Sequence, residues 1–153
     1  MTENKIDFFY CGDDRYSEVK KIRTEVFTNE QGADASGEFD LYDETALFAL
    51  LYENGKAVAA ARIAYIQNNV KIGRIAVLKS CRGRGYGAVI VKAVMQRAFD
   101  DGARRVFVDA QNYAVPFYEK LGFSVIADEI TDRGLAHMPM CADKEEFYDN
   151  KKE

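Results

Sequence analysis

Apolar residues recur along this chain with two periods, and the switches between them mark out its elements. Val19, Ile22, Val26 and Phe27 fall at helical spacing within 16–29, after an extended run at 5–10 and the turn residues Gly12 and Asp13. Two apolar runs, 46–52 and 57–66, are joined by Asn54-Gly55, a dipeptide that accepts the positive φ angles of a tight hairpin. A second turn at Asn68-Asn69 leads into 70–78, so three successive antiparallel strands are expected to form the centre of a sheet. Ile90, Val91, Val94, Met95 and Ala98 make an apolar stripe with Lys92, Gln96 and Asp100 opposite, which predicts an amphipathic helix ending near Gly102. Residues 106–109 read as a short strand, 113–121 as a helix closed by Gly122, and 123–127 and 135–141 as the last two strands.

Between Gln31 and Thr45 the apolar pattern is too sparse for a long element, and a loop with one helical turn is expected. The predicted order, β-α-β-β-β-α-β-α-β-β, implies an α/β (α+β) domain: one central mixed, mostly antiparallel twisted sheet flanked by helices. No repeat or linker divides the chain, so residues 1–141 read as one domain and 142–153 as a charged tail. Phe147 and Tyr148 would pack that tail as a terminal helix, or it frays.

Composition narrows the function classes. The length of 153 residues suits one core, and 48% hydrophobic content with 10 Phe and 9 Tyr is enough to fill it. A net charge of −4 argues against general nucleic-acid binding, which needs a basic surface. No apolar run reaches the roughly 18 residues of a membrane span, and the opening residues lack the order of a signal peptide. A cytoplasmic protein without a membrane partner is expected. Cys11, Cys81 and Cys141 are odd in number and far apart, so neither a disulfide framework nor a metal site is expected.

A local exception to the acidic balance is the cluster Lys79, Arg82 and Arg84, which crowds the glycines at 83, 85 and 87. Those glycines lie between a predicted strand and a predicted helix, where backbone N–H groups and a helix N-terminus can converge on a pyrophosphate. A P-loop is excluded, because Gly87 is followed by Ala88 and Val89 rather than Lys-Ser/Thr. A dinucleotide fingerprint fits poorly, since the loop reads GxGxG and follows several antiparallel strands. The pattern Arg/Gln-x-x-Gly-x-Gly/Ala is met by Arg82, Gly85 and Gly87.

With this loop the chain resembles the GNAT superfamily of N-acetyltransferases. The segment from Ala114 to Phe123 resembles the family's A-x-x-x-Y-x-K-x-G-F motif. Ile22-Arg23, Val26-Phe27, Glu30-Gln31, Asp40, Asp43, Ile72-Gly73-Arg74, Asp109-Ala110-Gln111, Gly134 and His137 resemble the ElaA-like branch. The resemblance implies transfer of an acetyl group from acetyl-CoA, as cosubstrate, to a primary amine of a small molecule or peptide. Attack would be direct, in a ternary complex without a covalent acyl-enzyme. It implies pyrophosphate contacts from Arg82, Gly83, Arg84, Gly85, Tyr86, Gly87 and Ala88, with the pantetheine arm along Ile75, Ala76 and Val77. A backbone N–H near Val77 would stabilise the oxyanion.

By the same resemblance Tyr118 is the general acid beside the coenzyme's sulfur, and Gln111 stands where many members carry a coenzyme-contacting asparagine. Glu30 is the first candidate for the base, with Asp40, Asp43, Asp109 or a water-mediated route as alternatives. His137, the one histidine, is a further candidate because imidazole is the side chain suited to proton exchange near neutral pH. Arg23, Arg62 and Arg74 read as ion-paired or surface residues, one of which could hold an acidic acceptor in a bidentate contact. Cys81 beside the loop has no histidine near it in sequence, which disfavours a thiol relay. The competing function is a non-catalytic acyl-CoA sensor or regulatory module, and a homodimer is a common outcome for domains of this size. Acceptor contacts are expected from loops at 30–45 and 131–137.

Overall fold

A computed structural model of the protein describes residues 3–33 and 38–151. The elements run β1 (Asn4–Phe9), α1 (Tyr16–Arg23), β2 (Leu47–Glu53), β3 (Lys56–Ile66), β4 (Asn69–Val77), α2 (Tyr86–Asp100), β5 (Arg105–Gln111), α3 (Val115–Lys120), β6 (Ser124–Val125), β7 (Ile130–Asp132), β8 (Leu135–Asp143) and α4 (Lys144–Lys151). The strands form one sheet in the order β1-β2-β3-β4-β5-β8-β6, with β7 paired to β8. All neighbours are antiparallel except β4 and β5.

Strand alternation explains why both faces are covered. Leu47, Ala49 and Leu51 of β2 point into a core with Ile90, Val94 and Met95 of α2, whereas Phe48 and Leu50 point to the other face, against Val19 and Ile22 of α1. Each large apolar side chain so buried contributes about 1.5–3 kcal/mol. Helix α4 closes the first face: Phe147 is buried and stacks at a tilt on Phe99, with ring centroids 5.2 Å apart. Strand β8 feeds straight into this helix, so the chain beyond Cys141 continues the sheet through Asp143.

Three details depart from the sequence reading. The first helix is α-helical only to Arg23 and continues as a π-helix over Thr24–Glu30, where Gln31 N–H donates to Val26 C=O at 3.0 Å. The β3–β4 turn is centred one residue earlier than Asn68-Asn69: Gln67 and Asn68 take the positive φ angles, 51° and 68°, of a two-residue hairpin. Residues 131–137 are a hairpin rather than a loop, turned by Arg133 and Gly134 with Asp132 opposite Leu135. Within 31–45 the expected helical turn is the 3-10 turn Leu41–Glu44, capped by the Asp40 carboxylate accepting from Tyr42 N–H at 3.1 Å; residues 34–37 of the expected loop lie outside the described residues.

Strand β4 carries the feature that positions the site. Between the pairs Ala60–Ala76 and Arg62–Gly73, two residues of β4, Arg74 and Ile75, oppose one of β3. This bulge bends the strand. On its other side, β4 stays in register with β5 only where Lys71 meets Phe107, and beyond that pair the strands diverge.

Candidate active site

The divergence of β4 from β5 opens a cavity of about 880 Å³. Its floor is the edge of β4 from Ile72 to Val77, its walls are Val108, Asp109 and Gln111 of β5 and Ala114, Phe117 and Tyr118 around α3, and Arg82, Gly83, Gly85, Tyr86, Gly87 and Ala88 close one end. At the root of the split, Lys71 and Asp109 form an ion pair across the two strands.

At the glycine end, Gly83 and Gly85 adopt φ of 81° and 82°, and a Cβ on either would meet no protein atom within 4 Å. Side chains are thus kept off the loop, and the backbone is open to an approaching group. Gly85 caps α2 without any side-chain bond, so the first N–H groups of a 15-residue helix face the cavity end with their partial positive charge. The loop's own cations are drawn aside. Arg82 donates Nε to Val77 C=O at 3.0 Å and forks onto Glu30, while Arg84 and the Tyr86 hydroxyl both bind Glu53. The groups this end presents to the cavity are therefore mainly backbone ones, with Arg82 and Arg84 braced by carboxylates.

Midway along the cavity, Tyr118 is 7% exposed and sits edge-on to Phe117 and Phe123. Burial pushes its pKa well above the ordinary tyrosine value, so the hydroxyl stays protonated. Among the described residues nothing accepts a hydrogen bond from it, although it lines the cavity. Nearby, Gln111 Nε2 donates to Gln31 Oε1 at 2.8 Å, linking the end of β5 to the end of the π-helix.

Residues 12–144 match the acetyltransferase (GNAT) domain family. The chain belongs to that family. The uncharacterised N-acetyltransferase YjcF of Bacillus subtilis is 38% identical over 123 residues, covering 80% of this chain and 88% of the relative. In fold, the GNAT chain is similar to Escherichia coli ElaA, with a TM-score of 0.80 at 23% identity over 92% of this chain and all of the other. It is also similar to a GNAT family acetyltransferase of Elizabethkingia anophelis solved with acetyl-CoA bound, with a TM-score of 0.69 at 17% identity, covering 92% and 97% of the two chains.

The other end of the GNAT cavity is built from buried charge. Arg23 is completely buried, with Nε 2.7 Å from Glu38 and Nη1 3.0 Å from Asp43. Arg62 reaches Asp40 at 2.7 Å and Asp43 at 3.0 Å, Arg74 lies 3.4 Å from Asp40 and 3.8 Å from Glu38, and Arg133 pairs with Glu38. Burial opposes ionisation of Asp43, but the Arg23 charge and hydrogen bonds from Tyr16, Arg23 and Arg62 overcome it and hold its pKa below the usual carboxylate value. Burial also opposes the Arg23 charge, and Asp43 and Glu38 more than offset it.

These placements sort the candidates. Ile75, Ala76, Val77, Arg82, Gly83, Gly85, Tyr86, Gly87, Ala88, Gln111, Tyr118 and His137 all line the cavity, together with Arg62, Arg74, Asp40 and Asp109. Arg84 does not, being turned onto Glu53. Glu30 does not either. Both its oxygens are bound by Arg82, whose hydrogen bonds lower its pKa, so the side chain braces the loop and is a poor proton acceptor. Asp43 is disqualified as a base on similar grounds. Cys81 is buried away from the cavity lining. Glu38, Lys71 and Arg133 escaped the sequence reading. The signal for Arg133 was the Arg-Gly dipeptide of the unrecognised hairpin; Glu38 had none beyond its position in an acidic loop.

Among the described residues no His, Cys, Asp and Glu side chains are grouped to hold a metal ion. Nor is any helix among them long and apolar enough to cross a membrane.

Proposed function

We propose that this GNAT acyltransferase uses acetyl-CoA to acetylate a primary amine by direct attack in a ternary complex. The observation that carries the reading is the continuity of the cavity, from the open backbone of Gly83–Ala88, along the unpaired edge of β4, past the buried Tyr118 hydroxyl. An acyl-CoA fits those residues: pyrophosphate on the N–H groups of the loop and the start of α2, pantetheine amides on the open edge at Ile75, Ala76 and Val77. When bound, it supplies the thioester.

The chain's own groups would do the rest. An N–H of the β4 edge near Val77 donates to the carbonyl oxygen as negative charge develops there. The Tyr118 hydroxyl donates to the sulfur as the C–S bond breaks. Because a thiol's ordinary pKa of about 8.5 lies below that of the buried phenol, this acts first as a strong hydrogen bond, with proton transfer completed as product leaves.

For the base we take His137 over Glu30. It lies on β8 opposite Gln111, is buried against the cavity, and has Nδ1 2.9 Å from Leu135 C=O. That carbonyl accepts the Nδ1 proton and leaves the Nε2 lone pair to take one from the incoming ammonium. The C–N bond forms as the C–S bond breaks, the nitrogen's remaining excess proton makes up the one that Tyr118 gives to the sulfur, and coenzyme A departs as the thiol with the tyrosine restored.

The test is release of free thiol from acetyl-CoA in the presence of a broad amine panel, alongside calorimetric binding of acetyl-CoA. Turnover with at least one amine is expected. Tight binding without turnover on any amine would favour a coenzyme sensor instead.

A further inference from the structure

Lys71 and Asp109 do more than mark the root of the split between β4 and β5. A second hollow, of about 220 Å³, adjoins them, walled by Phe107, Ile126, Pro139 and Met140 and edged by the exposed Gln67 and Asn69. Ile66, Lys71, Val108 and Asp109 line both this hollow and the large cavity. The two spaces therefore abut, and the ion pair that joins β4 to β5 stands in the partition between them.

The direction of the coenzyme aims its acyl group at this partition. With the pyrophosphate on the glycine loop and the pantetheine amides on Ile75, Ala76 and Val77, the molecule runs up β4 from the strand's C-terminal end. Carbons added to the acetyl group would continue along the same edge, toward Lys71. From Ile75 to Lys71 the strand covers on the order of 13 Å. Ile72 and Val108, both buried, line that stretch, and an alkyl chain gains by leaving water there. At its end the chain meets two opposite charges, Lys71 and Asp109, 37% and 24% exposed. To pass, it would have to part them and strip water from both, which is unfavourable for ions that lose their partner.

We propose that the Lys71–Asp109 pair is the stop that sets how long an acyl group the protein accepts on coenzyme A. Chains that end short of the pair fit the split. Longer ones are refused while the pair stands, and are admitted into the second hollow when it is removed. The pair touches no reacting atom; it determines donor specificity by closing the channel. This inference rests on the proposed placing of the coenzyme along β4, and not on the transfer step.

The experiment is calorimetry of the saturated straight-chain acyl-CoAs, from acetyl to dodecanoyl, in the absence of any amine. The wild-type protein should show a drop in affinity of about tenfold or more beyond some chain length. In Lys71→Ala that drop should come at least two carbons later, with acetyl-CoA affinity kept within about threefold. Asp109→Ala opens the partition from the other strand, and should shift the drop likewise if Lys71→Ala fails to fold. The exchanged pair, Lys71→Asp with Asp109→Lys, should return the drop to the wild-type length, which loss of packing alone would not do. Equal affinity for every length in the wild type, or a drop at one length in all variants, would overturn the stop. So would an exchanged pair that binds long chains as the alanine variants do. A shifted drop sustains the stop even if no amine is ever acetylated, a result that would sink the transfer reading alone. Failure to bind any acyl-CoA would overturn both.

Discussion

The two ends of the cavity are made of different materials. The glycine end offers backbone: N–H groups of a helix start and a bare strand edge, with its arginines pulled back onto Glu30 and Glu53. The opposite end offers side chains, a buried lattice of arginines and carboxylates in which each charge is held by at least one other. Backbone recognition tolerates changes in the residues around it, provided φ and access are kept. A buried charge network does not, because removing one member strands the rest. Damage at the first end should therefore appear in ligand binding and turnover, and damage at the second in stability.

The largest effect is expected from Gly85→Val. A branched side chain at φ of 82° is strained and fills the space the backbone leaves open, so acetyl-CoA binding should be lost in calorimetry while circular dichroism stays native. Normal affinity would remove the loop from coenzyme binding. Arg23→Ala should instead lower unfolding free energy by about 3–5 kcal/mol, since it leaves Glu38 and Asp43 buried without their main partner. A melting shift of roughly 10 °C follows for a domain of this size, and a shift under about 2 °C would show that the network relaxes freely.

Tyr118→Phe comes next, with kcat lower by about ten- to a thousandfold and coenzyme affinity nearly intact. Unchanged turnover would take the hydroxyl out of the chemistry and leave only its ring packing. A subtler effect concerns acid. Because the folded-state pKa of Asp43 is depressed, its contribution to stability is complete above the unfolded value of about 3.9 and is lost as pH falls through the lower folded value. The melting deficit of Asp43→Asn should accordingly be full at pH 7 and shrink below about pH 4; a deficit independent of pH would assign it to packing. The smallest effect is expected from Glu30→Gln, whose pair with Arg82 is partly exposed and worth under about 1 kcal/mol. A fall in kcat of a hundredfold or more would restore Glu30 as the base.

The same contrast explains what could be read before folding. Glycines at 83, 85 and 87, the Asn54-Gly55 turn and the Tyr118 segment announce themselves because their roles are local: a positive φ, a tight turn, a motif beside a strand. Most strands and helices were legible for the same reason, each having its own period. Strand β7 was not, since Ile130-Thr131-Asp132 is too short and too exposed to show alternation. The split between β4 and β5 was invisible too, because it depends on how β4 meets β5, a strand that follows only after the whole of α2. So was the network: Arg23 and Glu38 lie 15 residues apart, Arg133 and Glu38 lie 95 apart, and only the folded sheet brings them together. The Glu30 ion pair was hidden for that reason as well, its partner Arg82 being 52 residues away.

The bulge at Arg74 has a consequence beyond the site. Past Lys71 the strand β4 is, in effect, a sheet edge in the middle of a sheet, with a row of backbone groups available to any extended chain. Exposed edges are templates for aggregation, and sheets guard them with bends, charges and interrupted repeats. Here the two-for-one mismatch at Arg74 and Ile75 breaks the regular spacing a foreign strand would need, and a guanidinium stands at the break. The kink that opens the enzyme to its ligand is thus also what keeps the opening from being zipped shut by another protein.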